Sequence, residues 1–177
     1  MPDIAMHLLD IVYNSIRALA KNIKITIEDL KKENKIEIII EDDGKGMDEK
    51  TIQQVIDPFF TTRTTRHVGL GVPLFKAGVE ATGGSFKITS KVDKGTIIHA
   101  IYIKDHIDTP PLGNLAETLV TLIQADENID YYFQYKNDDH EFIFDTKQIK
   151  EILENVKIND PEIILWLKDY IKEGVNL

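Results

Sequence analysis

Three short polar motifs, each next to an apolar segment, constrain the fold of this chain more than any other feature. Asn14 lies in a stretch with helical spacing of apolar residues, residues 42–46 (Asp-Asp-Gly-Lys-Gly) follow an apolar run, and residues 69–71 (Gly-Leu-Gly) precede a second helical stretch. Each motif alone is weak, because Asp-Gly pairs usually form turns and paired glycines usually mark loops or helix starts. Their order and the segments between them favour one shared site.

The first hundred residues alternate between helical and strand patterns. Apolar residues recur at helical spacing over residues 4–20, which predicts a helix with Asp10, Asn14 and Arg17 on its more polar face. The remaining elements are predicted as strands over 23–27 and 36–40 around a turn at 31–34, a short helix from Asp48 to Val55 that ends at Asp57-Pro58, a helix from Gly69 to Ala81, and strands over 85–91 and 96–103.

A change in charge and two prolines predict a boundary after about residue 106. Residues 1–106 contain 15 acidic and 15 basic residues, whereas residues 107–177 contain 15 acidic and 6 basic ones. Pro110 and Pro111 cannot continue a helix or a ladder of strand hydrogen bonds. We therefore predict a domain of residues 1–106 and an acidic α+β module of residues 107–177. Its predicted elements are helices over 112–124, 146–155 and 160–172 and strands over 131–136 and 141–144.

The composition excludes several classes of function. The chain has no cysteine, which excludes disulfides, thiolate catalysis and cysteine-bound zinc and suits a reducing cytoplasm. The apolar run over residues 36–40 is far shorter than the roughly 20 residues that span a bilayer. The acidic tail would repel nucleic acid phosphates. We expect a cytoplasmic protein without a nucleic acid or membrane partner.

The three motifs together supply the groups that a nucleotide needs. Asp42 is a candidate acceptor for the exocyclic amine of adenine, and Gly44 and Gly46 leave room for a ring to approach the backbone. The alternative is an ordinary type I′ or G1-bulge turn. Asn14 offers a neutral oxygen suited to Mg²⁺, although a helical asparagine can also be a surface or packing residue.

The second glycine motif suits the phosphates. Gly69 and Gly71 place free N–H groups at a helix N-terminus, where the helix dipole favours negative charge. Arg63 and Arg66 precede this helix and could add charge-assisted contacts, although arginines in polar loops are often only solvated.

These residues also carry a resemblance to a known family. Residues 7–14 resemble the N box of the GHKL ATPases, the superfamily of gyrases, heat-shock chaperones, histidine kinases and mismatch-repair ATPases. Residues 42–46 resemble its first glycine box, residues 57–62 its F box and residues 69–71 its second glycine box, and Gly95-Thr96 resembles its last box. The F box and the Gly-Leu-Gly motif look most like the histidine-kinase branch.

The resemblance implies a fold and a set of ligands. The fold would be an α+β, Bergerat-type two-layer α/β sandwich in which helices cover one face of a mixed sheet. The resemblance implies binding of ATP or ADP with Mg²⁺, a short lid over residues 61–68, Asn14 as the metal ligand, and Thr96 as support for a water beside adenine. The nucleotide-binding residues would be Asn14, Asp42, Gly44, Gly46, Met47, Phe59, Arg63, Arg66, Gly69, Leu70, Gly71 and Thr96.

Two departures from the family pattern bear on activity. Only six residues precede His7, which we interpret as no room for the dimerising hairpin that presents the phosphoacceptor histidine of a histidine kinase. Asp10 stands where hydrolytic members have a glutamate, so it is a candidate general base with a shorter reach or a helix-surface carboxylate. Three functions stay open: a protein kinase acting in trans on a partner protein, an ATP-dependent switch without phosphoryl transfer, or a slow ATP hydrolase.

The acidic module offers apolar positions that suit two amphipathic helices. Trp166 belongs to this set, and its helical spacing favours a core position over a binding surface. The positions are Ile149, Ile152, Leu153, Ile163, Ile164, Trp166, Leu167 and Ile171.

Overall fold

The structure, a computed structural model, describes residues 2–59 and 70–176. The described helices are α1 (Ile4–Arg17), α2 (Glu49–Ile56), α3 (Gly71–Ala81), α4 (Leu115–Ala125), α5 (Thr146–Leu153) and α6 (Pro161–Val175). The described strands are β1 (Asn22–Leu30), β2 (Lys35–Asp42), β3 (Ser85–Lys91), β4 (Gly95–Ile103), β5 (Asp130–Asn137) and β6 (Glu141–Asp145).

These strands form one mixed sheet of six strands in the order β3-β4-β2-β1-β5-β6. Strand β1 pairs antiparallel with β2 and parallel with β5, and the other three pairs of neighbouring strands are antiparallel. A parallel pair needs a long crossover connection, and the chain between β1 and β5 contains β2 to β4 and α2 to α4. The predicted mixed sheet is confirmed.

Alternation along the central strands buries one face of the sheet. Ile25 of β1 pairs with Ile40 of β2 and with Phe133 of β5, and all three side chains are buried. Because successive side chains of a strand point to opposite faces, their neighbours along each strand lie on the other face. That face is more exposed and carries charged residues such as Lys24 and Glu37. The buried face packs under the helices, as the predicted sandwich requires.

Helices α1, α3, α4 and α6 form the layer over this face, since α1 contacts both α3 and α4, and α4 contacts α6. The start of α1 is bound to the segment before α4. The backbone N–H groups of Ile4 and Ala5 donate to the carbonyl oxygens of Pro111 and Leu112 at 3.0 and 2.9 Å. Asp3 caps α1 by accepting a hydrogen bond from the Met6 backbone N–H at 2.8 Å. The first helix is therefore fixed by both parts of the chain.

Most predicted elements are present, with differences at their ends. The first helix ends at Arg17 rather than at residue 20, because Leu19 adopts a left-handed backbone with φ of 62°. The helix starts predicted at residues 48, 146 and 160 are confirmed to within one residue, and the carboxylates of Asp48, Asp145 and Asp160 cap these helices. Pro161 occupies the first turn of α6, where its missing N–H costs nothing.

Residues 107–177 extend the sheet and the core formed by the first hundred residues. Strands β5 and β6 continue the sheet beyond β1, and buried residues of both segments belong to one hydrophobic cluster. The predicted boundary marks a change in composition and charge. The division into a domain of residues 1–106 and a module of residues 107–177 stays a prediction.

The core position predicted for Trp166 is wrong. Helix α6 buries the stripe formed by Ile164, Leu167 and Ile171, whereas Trp166 lies off this stripe and is 55% exposed. Ile152 of α5 is also exposed, at 80%. Both residues have helical spacing, but each helix buries only the narrower stripe that faces the sheet or a neighbouring helix.

A buried histidine in α1 makes stability depend on pH. His7 stacks on Phe75 of α3 with ring centroids 5.1 Å apart. Burial lowers the pKa of His7, and the nearby carboxylates of Asp10 and Asp3 oppose this effect only in part. The unfolded chain therefore takes up this proton more readily than the folded chain, and the resulting loss of stability begins as the pH falls through about 6.5.

We expect the free energy of unfolding to fall between pH 8 and pH 5 more steeply in the wild type than in His7→Gln, because the variant lacks this titrating group. Urea denaturation at several pH values measures both slopes. Parallel slopes would show that His7 titrates alike in the folded and unfolded chain.

No helix within residues 2–59 and 70–176 is long and apolar enough to cross a membrane. The cytoplasmic location stays a prediction from the sequence.

Candidate functional site

A cavity of about 250 Å³ lies between α1 to α3 and the ends of β2 to β4. The structure brings Asn14, Asp42, Gly46, Met47 and Thr96 together around it, although they come from three separate parts of the sequence. The lining residues are Ile11, Asn14, Ser15, Ala18, Ile40, Asp42, Gly46, Met47, Val55, Val72, Ile88, Thr96 and Ile98. The cavity is thus largely apolar with a few polar groups, the usual composition of a small-molecule site.

The Asp42 carboxylate is held in place from two sides. One oxygen, Oδ2, accepts a hydrogen bond from the Ser15 hydroxyl of α1 at 2.6 Å. The other oxygen, Oδ1, accepts from the Gly44 backbone N–H at 2.9 Å. Each carboxylate oxygen can accept a further hydrogen bond, so Asp42 retains capacity for a ligand amine. The sequence prediction missed Ser15, whose only signal is its place next to Asn14.

The glycines beside Asp42 allow two turns to pack backbone against backbone. Gly46 has φ of 68°, and a Cβ at this position would lie 1.8 Å from the carbonyl oxygen of Lys91. Gly95 has φ of 91°, and its Cβ would lie 1.9 Å from the carbonyl oxygen of Asp42. A side chain fits at neither position, so the turns after β2 and before β4 require glycine for this close approach.

Hydroxyl groups connect these turns at the cavity wall. The Ser90 hydroxyl accepts from the Met47 backbone N–H and lies 2.8 Å from the Thr96 hydroxyl. It also contacts the carbonyl oxygen of Gly95 at 2.8 Å. Ser90 therefore fixes Thr96 and the Met47 backbone together, and the sequence prediction missed it because nothing marks this serine along β3.

Asp43 anchors the same loop to the start of β1. Its carboxylate accepts hydrogen bonds from the backbone N–H groups of Lys21 and Asn22 at 2.7 and 2.9 Å and from the Asn22 side chain at 2.9 Å. Burial acts to raise the pKa of Asp43, but these hydrogen bonds outweigh it and hold the pKa below its usual value. Asp43 thus has a structural role and leaves Asp42 to face the cavity.

Asn14 lies at the cavity on α1 and is half-buried. Its side-chain oxygen accepts a hydrogen bond from the Arg17 guanidinium at 2.5 Å. Residues three apart on a helix are neighbours, so the sequence carried a signal for Arg17 that the prediction did not use. This pair places a cation next to the oxygen predicted to bind metal.

Asp10 and the second glycine motif meet at the N-terminus of α3. Leu70 precedes this helix and Gly71 begins it. A Cβ at Gly71 would lie 3.2 Å from the Asp10 Cβ and 3.9 Å from an Asp10 carboxylate oxygen. Asp10 therefore lies one turn from Asn14 and beside the predicted phosphate-binding helix. It is exposed and does not line the cavity itself.

Four further predicted residues stand apart from the cavity or outside the described chain. Phe59 is 94% exposed and is not part of the cavity wall. Arg63, Arg66 and Gly69, with the lid predicted over residues 61–68, lie outside the described residues. The roles of these residues stay predictions.

We expect Gly46→Ala to weaken nucleotide binding and to lower the thermal midpoint, because the new methyl group would overlap the Lys91 carbonyl and require an unfavourable φ. Gly78→Ala is a matched control, since its nearest contact is 4.0 Å away and its backbone is helical. Differential scanning fluorimetry with and without ATP measures both effects. Equal behaviour of the two variants would contradict the close turn packing.

The chain is similar to several characterised proteins. It is 29% identical over 93 residues to sporulation kinase C of Bacillus subtilis, covering 52% of this chain and 22% of that protein. It is 33% identical over 84 residues to the signal transduction histidine-protein kinase AtoS of Escherichia coli, covering 47% of this chain and 14% of that protein. The chain thus spans less than a quarter of the length of these relatives.

A solved structure shares the fold over most of the chain. The ATPase domain of MutL from Aquifex aeolicus, complexed with ADP, superimposes with a TM-score of 0.51 and 12% identity, covering 87% of this chain and 69% of that one. At this identity the likeness concerns the fold alone. The family of histidine kinase-, DNA gyrase B- and HSP90-like ATPases matches residues 3–107. This match covers more than half of the chain and includes every predicted motif, and the chain therefore belongs to this ATPase family.

Proposed function

We propose that this protein binds Mg-ATP in the cavity between α1 and the sheet and acts as a protein kinase in trans on a partner protein. The observation that carries the nucleotide part is the convergence of Asn14, Asp42, Gly46 and Thr96 on one cavity. Asp42 would accept the adenine amine. The apolar side chains Ile40, Val55 and Ile98 of the same wall would pack on the ring faces.

Asn14 would supply the protein ligand for Mg²⁺. The described residues contain no group of three or more histidine, aspartate or glutamate side chains that could hold a metal. One neutral protein oxygen, with phosphate oxygens and waters as the other ligands, would satisfy the preference of Mg²⁺ for oxygen ligands. Bound Mg²⁺ would neutralise part of the phosphate charge. Arg17 would then release the Asn14 side-chain oxygen and donate hydrogen bonds to a phosphate oxygen instead.

The kinase part of the proposal is supported by the relatives. Sporulation kinase C and AtoS are kinases by name, and the chain is similar to a part of each. A role in signal transduction follows as part of the same proposal. The acceptor side chain would come from a partner protein, presented near the N-terminus of α3 where the terminal phosphate would lie.

One observation favours hydrolysis as a second candidate. Asp10 lies beside Gly71 at the start of α3, which is where a general base for water would be needed. The aspartate side chain is one methylene shorter than glutamate, so we expect slow turnover at most. A switch in which ATP alters the protein surface without phosphoryl transfer is the third candidate.

Incubation with ATP labelled on the terminal phosphate, alone and with extract of the source cells, distinguishes the three. Label transferred to a partner protein supports the kinase. Released phosphate that Asp10→Asn abolishes supports the hydrolase, and binding without either product supports the switch. Asn14→Ala is the control for metal dependence, because Asn14→Asp would add a charge at the metal.

A further inference from the structure

Helix α6 exposes a pair of aromatic side chains on the surface of the protein. Trp166 and Tyr170 are 55% and 40% exposed. Their rings stack with centroids 5.2 Å apart and planes 6° apart. Residues four apart on a helix lie on the same side, so the two rings cover part of each other's faces and form one exposed aromatic stack. Exposed aromatic surface of this kind is a common feature of protein binding sites.

The pair is held rigidly by the edge of the sheet. Tyr170 packs edge-on against Phe142 of β6 with ring centroids 5.4 Å apart. Gly174 lets α6 approach this ring, because a Cβ there would lie 2.3 Å from a ring carbon of Phe142. A groove beside Tyr170 is lined by Phe142, Tyr170, Glu173, Gly174 and Asn176. The aromatic surface is therefore preformed, which lowers the entropy cost of binding a partner.

Three carboxylates surround the aromatic pair. Glu162 lies four residues before Trp166, Asp169 lies three residues after it, and Glu173 lies seven residues after it. Helical periodicity therefore places all three carboxylates on the same side of α6 as Trp166. All three are exposed, and none forms an ion pair with another described residue. Of the lysines of α6, Lys168 pairs with Glu117 of α4. Lys172 follows Asp169 by three residues but forms no ion pair with another described residue.

We propose that this acidic-aromatic face, formed by Glu162, Trp166, Asp169, Tyr170 and Glu173, binds an arginine-bearing segment of a partner protein. A guanidinium group stacks on an indole or phenol ring and at the same time donates to carboxylates beside the ring. Aromatic rings next to unpaired carboxylates satisfy both requirements. Lysine would satisfy the charge but stacks less well.

The charge distribution selects against other occupants. Residues 107–177 carry 15 acidic and 6 basic residues, so the same region of a second copy would bring like charge to this face and be repelled. Nucleic acid phosphates would be repelled for the same reason. A basic protein segment is attracted, and its encounter rate would fall with added salt.

The face is separate from the nucleotide cavity, because β1 and β5 lie between β2, which carries Asp42, and β6. The proposal therefore does not depend on nucleotide binding or phosphoryl transfer. None of the five residues of the acidic-aromatic face belongs to a family motif.

Fluorescence of the full chain tests the proposal directly, because Trp166 is its only tryptophan. Titration with a blocked hexa-arginine peptide at low ionic strength should produce a saturable change in Trp166 emission. Fluorescence anisotropy of the fluorescein-labelled peptide then compares variants. We expect binding to weaken about tenfold or more in the triple variant Glu162→Gln, Asp169→Asn, Glu173→Gln, and about threefold or more in Trp166→Ala.

The matched control is the triple variant Asp108→Asn, Glu151→Gln, Glu154→Gln, which removes the same charge from other exposed positions of residues 107–177. It should bind hexa-arginine within about twofold of the wild type. Equal losses in the two triple variants, equal affinity for hexa-arginine and hexa-lysine, or the absence of saturation would each overturn the proposal. Sedimentation tests whether a second copy occupies this face. Dimers in the wild type that are absent in Trp166→Ala would overturn the proposal and show that the face binds a second copy of the chain.

Discussion

Asp42→Asn is expected to weaken Mg-ATP binding at least tenfold while the protein stays folded. A charge-assisted hydrogen bond to a buried ligand group is worth roughly 1.5–3 kcal/mol. The amide has one acceptor oxygen where the carboxylate has two, and both carboxylate oxygens already accept hydrogen bonds, from Ser15 and Gly44. In the variant the amide N–H₂ must face either the Ser15 hydroxyl or the Gly44 N–H, and it can accept from neither, so the one remaining oxygen is left to serve the adenine amine as well. Isothermal titration calorimetry measures the change.

Two variants separate this effect from other causes. Glu41→Gln removes one negative charge at the neighbouring position, whose side chain points to the other face of the sheet, and it should leave the affinity unchanged. Ser15→Ala removes the hydrogen bond that orients Asp42 at 2.6 Å, and it should weaken binding less than Asp42→Asn. Unchanged affinity in Asp42→Asn would remove Asp42 from the adenine role.

Phe133→Ala is expected to produce the largest loss of stability. We also expect it to destabilise the segment that forms the nucleotide cavity, although β1 lies between β5 and β2 in the sheet. Phe133 is fully buried in β5 and pairs with Ile25 of β1. Truncating a buried phenylalanine costs about 3–5 kcal/mol, a large part of the roughly 5–15 kcal/mol that stabilises a domain. Because β5 continues the sheet that carries Asp42, we expect both segments to unfold in one cooperative transition at a lower urea concentration.

Circular dichroism and Trp166 fluorescence follow this transition with two probes. Gln134→Ala, at the next position and on the opposite face of the sheet, is the control and should change the stability little. Two separate transitions in Phe133→Ala, of which only one moves to lower urea, would contradict a single folding unit. That result would support the division at residue 106 predicted from the sequence.

The sequence predicted most of the helices and strands because their local signals agree with one another. The alternation in β2 and β4 predicts a sheet with one buried face, and the capping aspartates at positions 48, 145 and 160 mark helix starts that the structure confirms. The family motifs led to Asn14, Asp42, Gly46 and Thr96, which the structure brings to one cavity.

The features that the sequence did not reveal depend on contacts between distant segments. Nothing local indicates that β5 pairs with β1, because a parallel pair is set by packing and not by a turn. Ser15 and Ser90 contact the site through hydroxyl groups on elements whose pattern gives no special weight to a serine. Trp166 has the helical spacing of a buried residue. Its exposure becomes clear only from the structure, in which α6 buries a stripe that does not include Trp166.

The most direct measurement of the central claim is the change in backbone amide NMR shifts of the full chain on addition of Mg-ADP. Binding in the cavity predicts the largest changes at Asn14, Gly44, Gly46, Met47 and Thr96, because these residues line or adjoin it. It predicts little change in the amide shifts of Trp166 and Tyr170, because α6 packs on β6, which β1 and β5 separate from β2. Saturation with shifts confined to α5, β6 and α6, or no shifts at millimolar nucleotide, would contradict the account.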